Sequence, residues 1–155
     1  MQDMVVIPKE KAVFWMDERG RWCNRHGKFE RKKAIDYFNA AIDKDDGGFF
    51  VCHEKEGRLE KVYFQYEDTA LFVMKLEMGS PVTLVLNNGS RVPLLYDDLF
   101  IQNDSLFMSF AEGCIKFTER CLLKISSMME YEGEDCFISD GKRRFYIPDR
   151  SNSVR

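Results

Sequence analysis

A dense basic segment over residues 19–33 is the feature of this sequence with the clearest potential for chemistry. It contains one acid, Glu30, and seven cationic side chains: Arg19, Arg21, Arg25, Lys28, Arg31, Lys32 and Lys33. The segment carries a charge of +6, which leaves −9 on the rest of a chain whose net charge is −3. Aromatic rings are interleaved with these cations, and that combination suits phosphate contact together with base stacking. The segment is therefore the first candidate for an anion-binding surface.

The candidate ligand-binding residues come from this segment and from a second short basic run after the Asp140-Gly141 turn. They are Trp22, Arg25, His26, Lys28, Arg31, Lys32, Lys142 and Arg143. The competing interpretation is structural, because long cationic stems often cover apolar surface at a solvated hairpin tip. Charged residues at a hairpin edge also prevent unwanted strand pairing, which suits Lys142 and Arg143.

Cysteine and histidine residues suggest a metal site, but their spacing argues against one. Cys23-x-x-His26 and Cys52-His53 offer four nitrogen and sulfur ligands, the number that structural zinc prefers. Adjacent residues of a strand point to opposite faces, so Cys52 and His53 do not easily share a site. We therefore expect no metal and no cofactor, with Cys52 buried and the histidines at the surface.

The sequence lacks the motifs of common enzyme classes. It has no Gly-x-Ser-x-Gly elbow, no phosphate-binding Walker loop and no His-Glu-x-x-His. Only two histidines are present, so general acid–base catalysis lacks its usual residue. The pairs of acidic residues fall at predicted turns, where Asp satisfies local backbone groups. These observations favour a protein without catalytic activity.

Composition and cysteine usage predict a cytoplasmic globular protein. The five cysteines are odd in number and form no Cys-x-x-Cys pair, which is typical of a reduced compartment. Residues 1–20 contain no continuous apolar segment of the secretory type, and no stretch has the roughly 20 apolar residues of a membrane span. A length of 155 residues suffices for a core without disulfides.

Hydrophobic periodicity predicts two helices among about ten short strands. Ala34, Ile35, Phe38, Ala41 and Ile42 form one apolar stripe, which predicts a helix over 30–43 that ends by Gly47-Gly48. Helical spacing from Cys114 to Ile125 predicts a second helix that reaches about residue 131. Asn87-Asn88-Gly89 and Asp140-Gly141 predict hairpins, and Pro93 favours an edge strand. Strands joined by tight turns pair antiparallel, so the predicted class is α+β.

The order of elements indicates an internal repeat of hairpin, helix and hairpin. We interpret residues 13–95 as a first α+β motif with a central hairpin, and residues 96–148 as a second. Residues 1–12 and 149–155 are predicted to be a flexible lead-in and a flexible tail.

Several short motifs resemble an uncharacterised bacterial family, domain of unknown function family 1285 (DUF1285). The resemblance spans roughly residues 13–148 and rests on Asp17-x-x-Gly20-x-Trp22, Gly27, Ile35, Phe38, Phe49-Phe50-Val51, Glu67-Asp68-x-x-Leu71-Phe72-Val73, Phe117, Ser139-x-Gly141 and Phe145. Where the family often has a Thr-Pro-like pair after Gly27, this chain has Lys28-Phe29. The resemblance implies two tandem α+β motifs and a role in signalling or regulation. It supplies no catalytic or ligand residues.

Together these inferences predict a non-enzymatic regulatory module that binds a protein or a small anionic ligand. The contact surface would be the basic face around residues 19–33 or a groove between the two motifs. Phosphate or nucleic-acid binding through residues 19–33 is the first alternative, and an enzyme or zinc protein is the second. No membrane association is expected, and the sequence does not define the oligomeric state.

Overall fold

The computed structural model describes residues 3–151, which form sixteen strands and two α-helices. The chain divides into two compact units. The first comprises the residues up to Ala70 together with Asn87–Gly89, and the second comprises Leu71–Leu86 and the chain from Ser90 onward. The class is α+β with strand predominant, and sixteen strands replace the ten or so that were predicted.

The first unit consists of two small sheets and one helix. Its elements are β1 (Met4–Ile7), β2 (Phe14–Met16), β3 (Trp22–Asn24), β4 (Gly27–Lys28), α1 (Lys32–Ala40), β5 (Ile42–Asp45), β6 (Gly48–Lys55) and β7 (Arg58–Tyr63). One sheet has the order β2-β3-β4 and the other β1-β7-β6-β5. The strands pair antiparallel except β1, which lies parallel to β7 at the sheet edge.

The second unit has a six-stranded and a three-stranded sheet. Its elements are β8 (Phe72–Glu77), β9 (Thr83–Leu86), β10 (Arg91–Pro93), β11 (Leu99–Gln102), β12 (Ser105–Phe110), β13 (Gly113–Phe117), α2 (Glu119–Ile125), β14 (Met129–Glu132), β15 (Asp135–Ser139) and β16 (Arg144–Ile147). The larger sheet has the order β10-β9-β8-β13-β12-β11, in which β8 and β13 are parallel. The smaller has the order β14-β15-β16.

Both helices are shorter than their apolar spacing predicts. Helix α1 ends at Ala40, because Ile42 leaves the predicted stripe to pair with Val51 in the β5–β6 hairpin. The Gly47-Gly48 pair therefore turns a hairpin instead of ending a helix, and Gly48 adopts a φ of +115° there. Cross-strand pairing of a β-branched residue has outweighed the helical pattern.

Thr118 sets the start of α2. Its side chain accepts a hydrogen bond from the backbone N–H of Cys121 at 3.4 Å, and its hydroxyl donates to the carbonyl of Val73 at 2.9 Å. The residues before it, Gly113–Phe117, form β13 and pair with β12, although their spacing predicts helix. The cap therefore separates strand from helix within one apolar run.

The turn signals predict the hairpins correctly. Asn87-Asn88-Gly89 connects β9 to β10, with Gly89 at a φ of +89°, and Asp140-Gly141 connects β15 to β16. Pro93 lies on β10, which is an edge strand of the six-stranded sheet, as a residue without a backbone N–H requires.

Three predicted boundaries differ from the structure. Met4–Ile7 lie in the predicted flexible lead-in but form β1, because alternating Val5 and Ile7 are half-buried against β7. The strands of the central hairpin, β9 and β10, were assigned to the first motif but lie in the same sheet as β11–β13 and belong to the second unit, whereas their turn, Asn87–Gly89, belongs to the first. Asp149, in the predicted flexible tail, pairs with Ile101 as an isolated bridge, and residues 152–155 lie outside the described range.

The turn between β2 and β3 is fixed by the carboxylate of Asp17. Its Oδ1 accepts hydrogen bonds from the backbone N–H groups of Arg19 and Arg21, each at 2.9 Å, and its Oδ2 forms an ion pair with the Arg21 side chain at 2.8 Å. Partial burial tends to raise the pKa of Asp17, but the hydrogen bonds from Arg21 and Arg19 lower it below its ordinary value of 3.8. The ionised side chain thereby fixes the backbone that leads into Trp22.

Replacement of Asp17 by alanine should destabilise the protein by about 1 kcal/mol at pH 7, since charge-assisted hydrogen bonds are lost at a partly exposed turn. Because the folded-state pKa is lowered, the stabilisation is present above the ordinary pKa and is lost as the pH falls through the folded-state value. Urea unfolding of both proteins from pH 7 down to pH 2 should show a difference that shrinks below pH 4. Asp46→Ala, at an exposed turn position, is the matched control. A difference that does not change with pH would contradict this account.

Candidate functional site

The basic hairpin, formed by β3, β4 and their turn, presents Arg25, His26 and Lys28 to solvent. The side-chain oxygen of Asn24 accepts a hydrogen bond from the backbone N–H of His26 at 2.9 Å, which fixes the turn. The Nε–H of Arg25 donates to Nε2 of His26 at 3.3 Å. Three of the predicted binding residues therefore share one exposed hairpin tip.

Trp22 is a core residue and not part of a surface for ligands. Its side chain is 1% exposed, and its indole N–H donates to Oδ1 of Asn39 at 2.7 Å. It packs edge-to-face against Phe14, Phe38 and Phe64, with ring centroids 5.8, 5.4 and 4.7 Å apart. Its predicted contact with a ligand is therefore wrong, because a fully enclosed ring has no face free for stacking.

The remaining predicted residues divide between different places. Arg31 is exposed beside the basic hairpin, whereas Lys32 forms an exposed ion pair with Asp36 at 2.6 Å. Lys142 and Arg143 lie in the second unit, where their backbone N–H groups donate to Oδ1 of Asp140, each at 2.8 Å. The guanidinium of Arg143 lies 4.7 Å from the ring centroid of Phe145. Lys142 and Arg143 therefore belong to an ordered turn between β15 and β16.

A cavity of about 270 Å³ lies within the first unit, behind the basic hairpin, and the sequence analysis did not predict it. We call it the aromatic cavity. Its apolar lining comes from Ile7, Ala12, Val13, Phe14, Phe29, Phe38 and Val62, and its polar lining from Lys11, Asn24, His53, Lys55 and Glu60. Strands β1, β6 and β7, helix α1 and strands β2 and β3 all contribute to its wall.

His53 and Glu60 form a hydrogen-bonded pair in the wall of the aromatic cavity. They are direct cross-strand partners on β6 and β7, with Nε2 of His53 3.1 Å from Oε1 of Glu60. A carboxylate is only an acceptor, so Nε2 carries the proton. The two side chains are 17% and 20% exposed, which corrects the prediction of a surface histidine.

Two shallower depressions adjoin the aromatic cavity around Asn24. The hairpin depression is lined by Ala12, Val13, Trp15, Asn24, Arg25 and His26, and shares Ala12, Val13 and Asn24 with the cavity. The other depression is lined by Asn24, His26, Lys28, Phe29, Glu30, Arg31 and Ala34. The three concavities thus share wall residues between the apolar interior and the cationic hairpin tip.

The proposed zinc ligands do not come together. Cys52 and His53 are consecutive on β6 and pair with Lys61 and Glu60, respectively, as strand alternation requires. Among residues 3–151, no group of three or more His, Cys, Asp and Glu side chains is arranged to hold a metal ion. Burial is the leading influence on the pKa of the Cys23 thiol and raises it.

Among residues 3–151, neither α-helix has the length and the apolar character of a membrane span.

A strand pattern in the sequence could have indicated the cavity. Val51, His53 and Lys55 alternate on one face of β6, opposite Val62, Glu60 and Arg58 of β7. This face changes from apolar to charged along the strands, and His53, Lys55, Glu60 and Val62 on it line the cavity.

These features define an α+β protein of antiparallel meanders and short helices, with a cavity in its first unit. Two solved structures share this fold, and both are DUF1285 family proteins. The protein from Silicibacter pomeroyi DSS-3 matches with a TM-score of 0.60 over 95% of this chain and 83% of its own, at 11% identity. The protein from Shewanella baltica OS155 matches with a TM-score of 0.53 over 77% of this chain and 94% of its own, at 16% identity. The chain therefore has a DUF1285-like fold, as its motifs predicted.

Comparison of the sequence with known protein families and with curated proteins gives no match. The likeness to the two solved structures concerns the fold alone. Function is therefore inferred from the geometry of the first unit.

Trp22→Ala should destabilise the protein by about 3–5 kcal/mol, as expected for a large buried aromatic side chain. Trp22→Phe should cost about 1–3 kcal/mol, because it keeps a ring but leaves the half-buried side-chain oxygen of Asn39 without its donor. Urea unfolding followed by circular dichroism measures both values. Trp15→Phe, at a tryptophan that is 41% exposed, is the matched control and should change stability by less than about 0.5 kcal/mol. Full stability of Trp22→Ala would contradict a core role for this residue.

Proposed function

We propose that this protein is a cytoplasmic, non-enzymatic binding module that recognises a small anionic ligand at the basic hairpin and serves in regulation or signalling. The observation that carries the proposal is the placement of Arg25, His26 and Lys28 around concave surface that meets at Asn24. Cationic side chains above a concavity attract an anion, and enclosed geometry strengthens that attraction relative to a flat surface.

A small anion suits this surface better than nucleic acid does. Single-stranded nucleic acid binds where bases stack on exposed rings along a basic groove. Trp22 is buried and Phe29 is half-buried, so the aromatic rings interleaved in the sequence do not form such a platform. The cations are also concentrated at one hairpin tip, which matches the footprint of a compact ligand.

The order of elements supports a further proposal about the fold. A meander of three strands, a helix and a second meander follow one another over residues 14–63, and the same order recurs over residues 99–147. We propose that these segments are the two members of an internal repeat. The first member contains the aromatic cavity and the basic hairpin, so ligand binding is a property that the two members do not need to share.

Inorganic pyrophosphate is a suitable probe of the anion site, followed by amide chemical shifts of the ¹⁵N-labelled protein. The largest shift changes should fall on residues 24–31. Arg25→Glu combined with Lys28→Glu should raise the dissociation constant at least about tenfold, since two attractive charges become repulsive. Lys28 is preferable to Lys32 as the target, because Lys32 is already paired with Asp36.

The matched control is Lys142→Glu combined with Arg143→Glu, which makes the same change of charge in the second unit. This variant should bind pyrophosphate as the unmodified protein does, and both double variants should keep their melting temperature. Equal loss of binding in both double variants, or shift changes centred on residues 140–144, would contradict an anion site at the basic hairpin.

A further inference from the structure

We propose that the aromatic cavity binds the ring system of a small aromatic acid, whose carboxylate or phosphate reaches the basic hairpin. This inference rests on the proposed function, because the hairpin supplies the anion site, and it adds the chemical class of the ligand. The lining of the cavity, its size and the wall that it shares with the hairpin depression support this class of ligand.

Three phenylalanine rings and the imidazole of His53 line the cavity beside four aliphatic side chains. The ring of Phe38 lies edge-to-face with Phe14 and Phe29, with centroids 4.9 and 5.3 Å apart. The imidazole of His53 lies 6.2 Å from Phe14 and 5.9 Å from Phe38. Rings in this arrangement offer further edge-to-face positions, which a flat aromatic guest fills better than a flexible chain does.

The polar groups of the cavity favour a ligand with one negative charge. Lys11 and Lys55 contribute two cations to the lining, and Glu60 contributes one carboxylate. That carboxylate is already hydrogen-bonded to His53, which leaves the lysines as the dominant charges. Among residues 3–151, neither lysine forms an ion pair. An acid that enters the cavity would therefore interact with two lysines without breaking an existing ion pair.

The cavity lies beside the anion site and shares part of its wall. Ala12, Val13 and Asn24 line both the aromatic cavity and the hairpin depression, where Arg25 and His26 lie. A guest that spans this junction has its apolar part among the phenylalanines and its charged end at the hairpin. The volume of about 270 Å³ is just below the roughly 300–1,000 Å³ of drug-sized sites, so the guest is a compact one.

Three matched probes separate the features of the ligand. They are 2-naphthoate, its saturated counterpart decahydro-2-naphthoate, and the uncharged 2-naphthalenemethanol. Isothermal titration calorimetry with the full chain should give the lowest dissociation constant for 2-naphthoate. The saturated acid should bind about threefold to tenfold more weakly, because it lacks edge-to-face contacts. The alcohol should bind about tenfold more weakly, because it lacks the charge-assisted contacts.

A substitution in the cavity wall tests the location. Ile7 is half-buried and lines the aromatic cavity but neither depression, so Ile7→Trp reduces the space in the cavity without touching the anion site. It should weaken 2-naphthoate binding about tenfold and leave pyrophosphate binding at the hairpin unchanged. Leu123→Trp, at a residue of the second unit that is 77% exposed, is the matched control and should leave both ligands unaffected.

The outcomes distinguish this inference from the proposed function. Binding of pyrophosphate at residues 24–31 without binding of 2-naphthoate would overturn the aromatic acid and leave the anion site standing. Equal affinity for 2-naphthoate and its saturated counterpart, or unchanged binding of 2-naphthoate to Ile7→Trp, would also overturn the inference. Loss of 2-naphthoate binding in both Ile7→Trp and Arg25→Glu/Lys28→Glu, with pyrophosphate binding lost only in the charge variant, would support it.

Discussion

The buried indole of Trp22 is the contact on which the first unit depends. Its ring meets Phe14 of β2, Phe38 of α1 and Phe64 just after β7, and its N–H satisfies the side chain of Asn39. One side chain thereby connects the small sheet, the helix and the larger sheet. Phe14 and Phe38 are shared between this cluster and the cavity lining, so the packing that stabilises the unit also defines the shape of its concavity.

The second unit is organised differently, around aliphatic side chains. Its buried cluster includes Val73, Leu84, Leu106, Ile115 and Ile138, which come from the six-stranded sheet and from β15. Aliphatic side chains interdigitate at high density in such a core. The first unit has a cluster of aromatic side chains instead, and the described cavity lies beside it.

Much of the fold followed from local signals in the sequence. Asn87-Asn88-Gly89, Asp140-Gly141 and Pro93 act through backbone conformation alone, so they predicted two hairpins and an edge strand. The helix lengths were not predicted, because Ile42 and Cys114 fit the helical stripe but lie in strands, where they pair with Val51 and Ser109. The parallel pairs β1–β7 and β8–β13 join segments far apart in the chain, and no local pattern encodes them.

The candidate site was predictable only in its exposed part. Arg25, His26 and Lys28 share one hairpin, and the charges of Arg25 and Lys28 mark it as a surface. Trp22 is adjacent to these residues in the sequence, and so it was predicted to share their surface. Sequence adjacency does not show that the side chain of Trp22 points inward and bonds to Asn39. His53 and Glu60 gave no signal on their own. They became a pair only through the register of β6 and β7, which the intervening turn fixes.

The parallel strand β1 has a consequence for the order in which this protein assembles. Ile7 lines the cavity and pairs with Val62, so the first strand of the chain finds its place only after the β6–β7 hairpin exists. Pairing between distant segments is slow compared with hairpin closure, because the intervening chain must first be ordered. On the ribosome, the wall that β1 provides is completed only after Val62 has emerged. We therefore expect the aromatic cavity to be among the last features of the first unit to form.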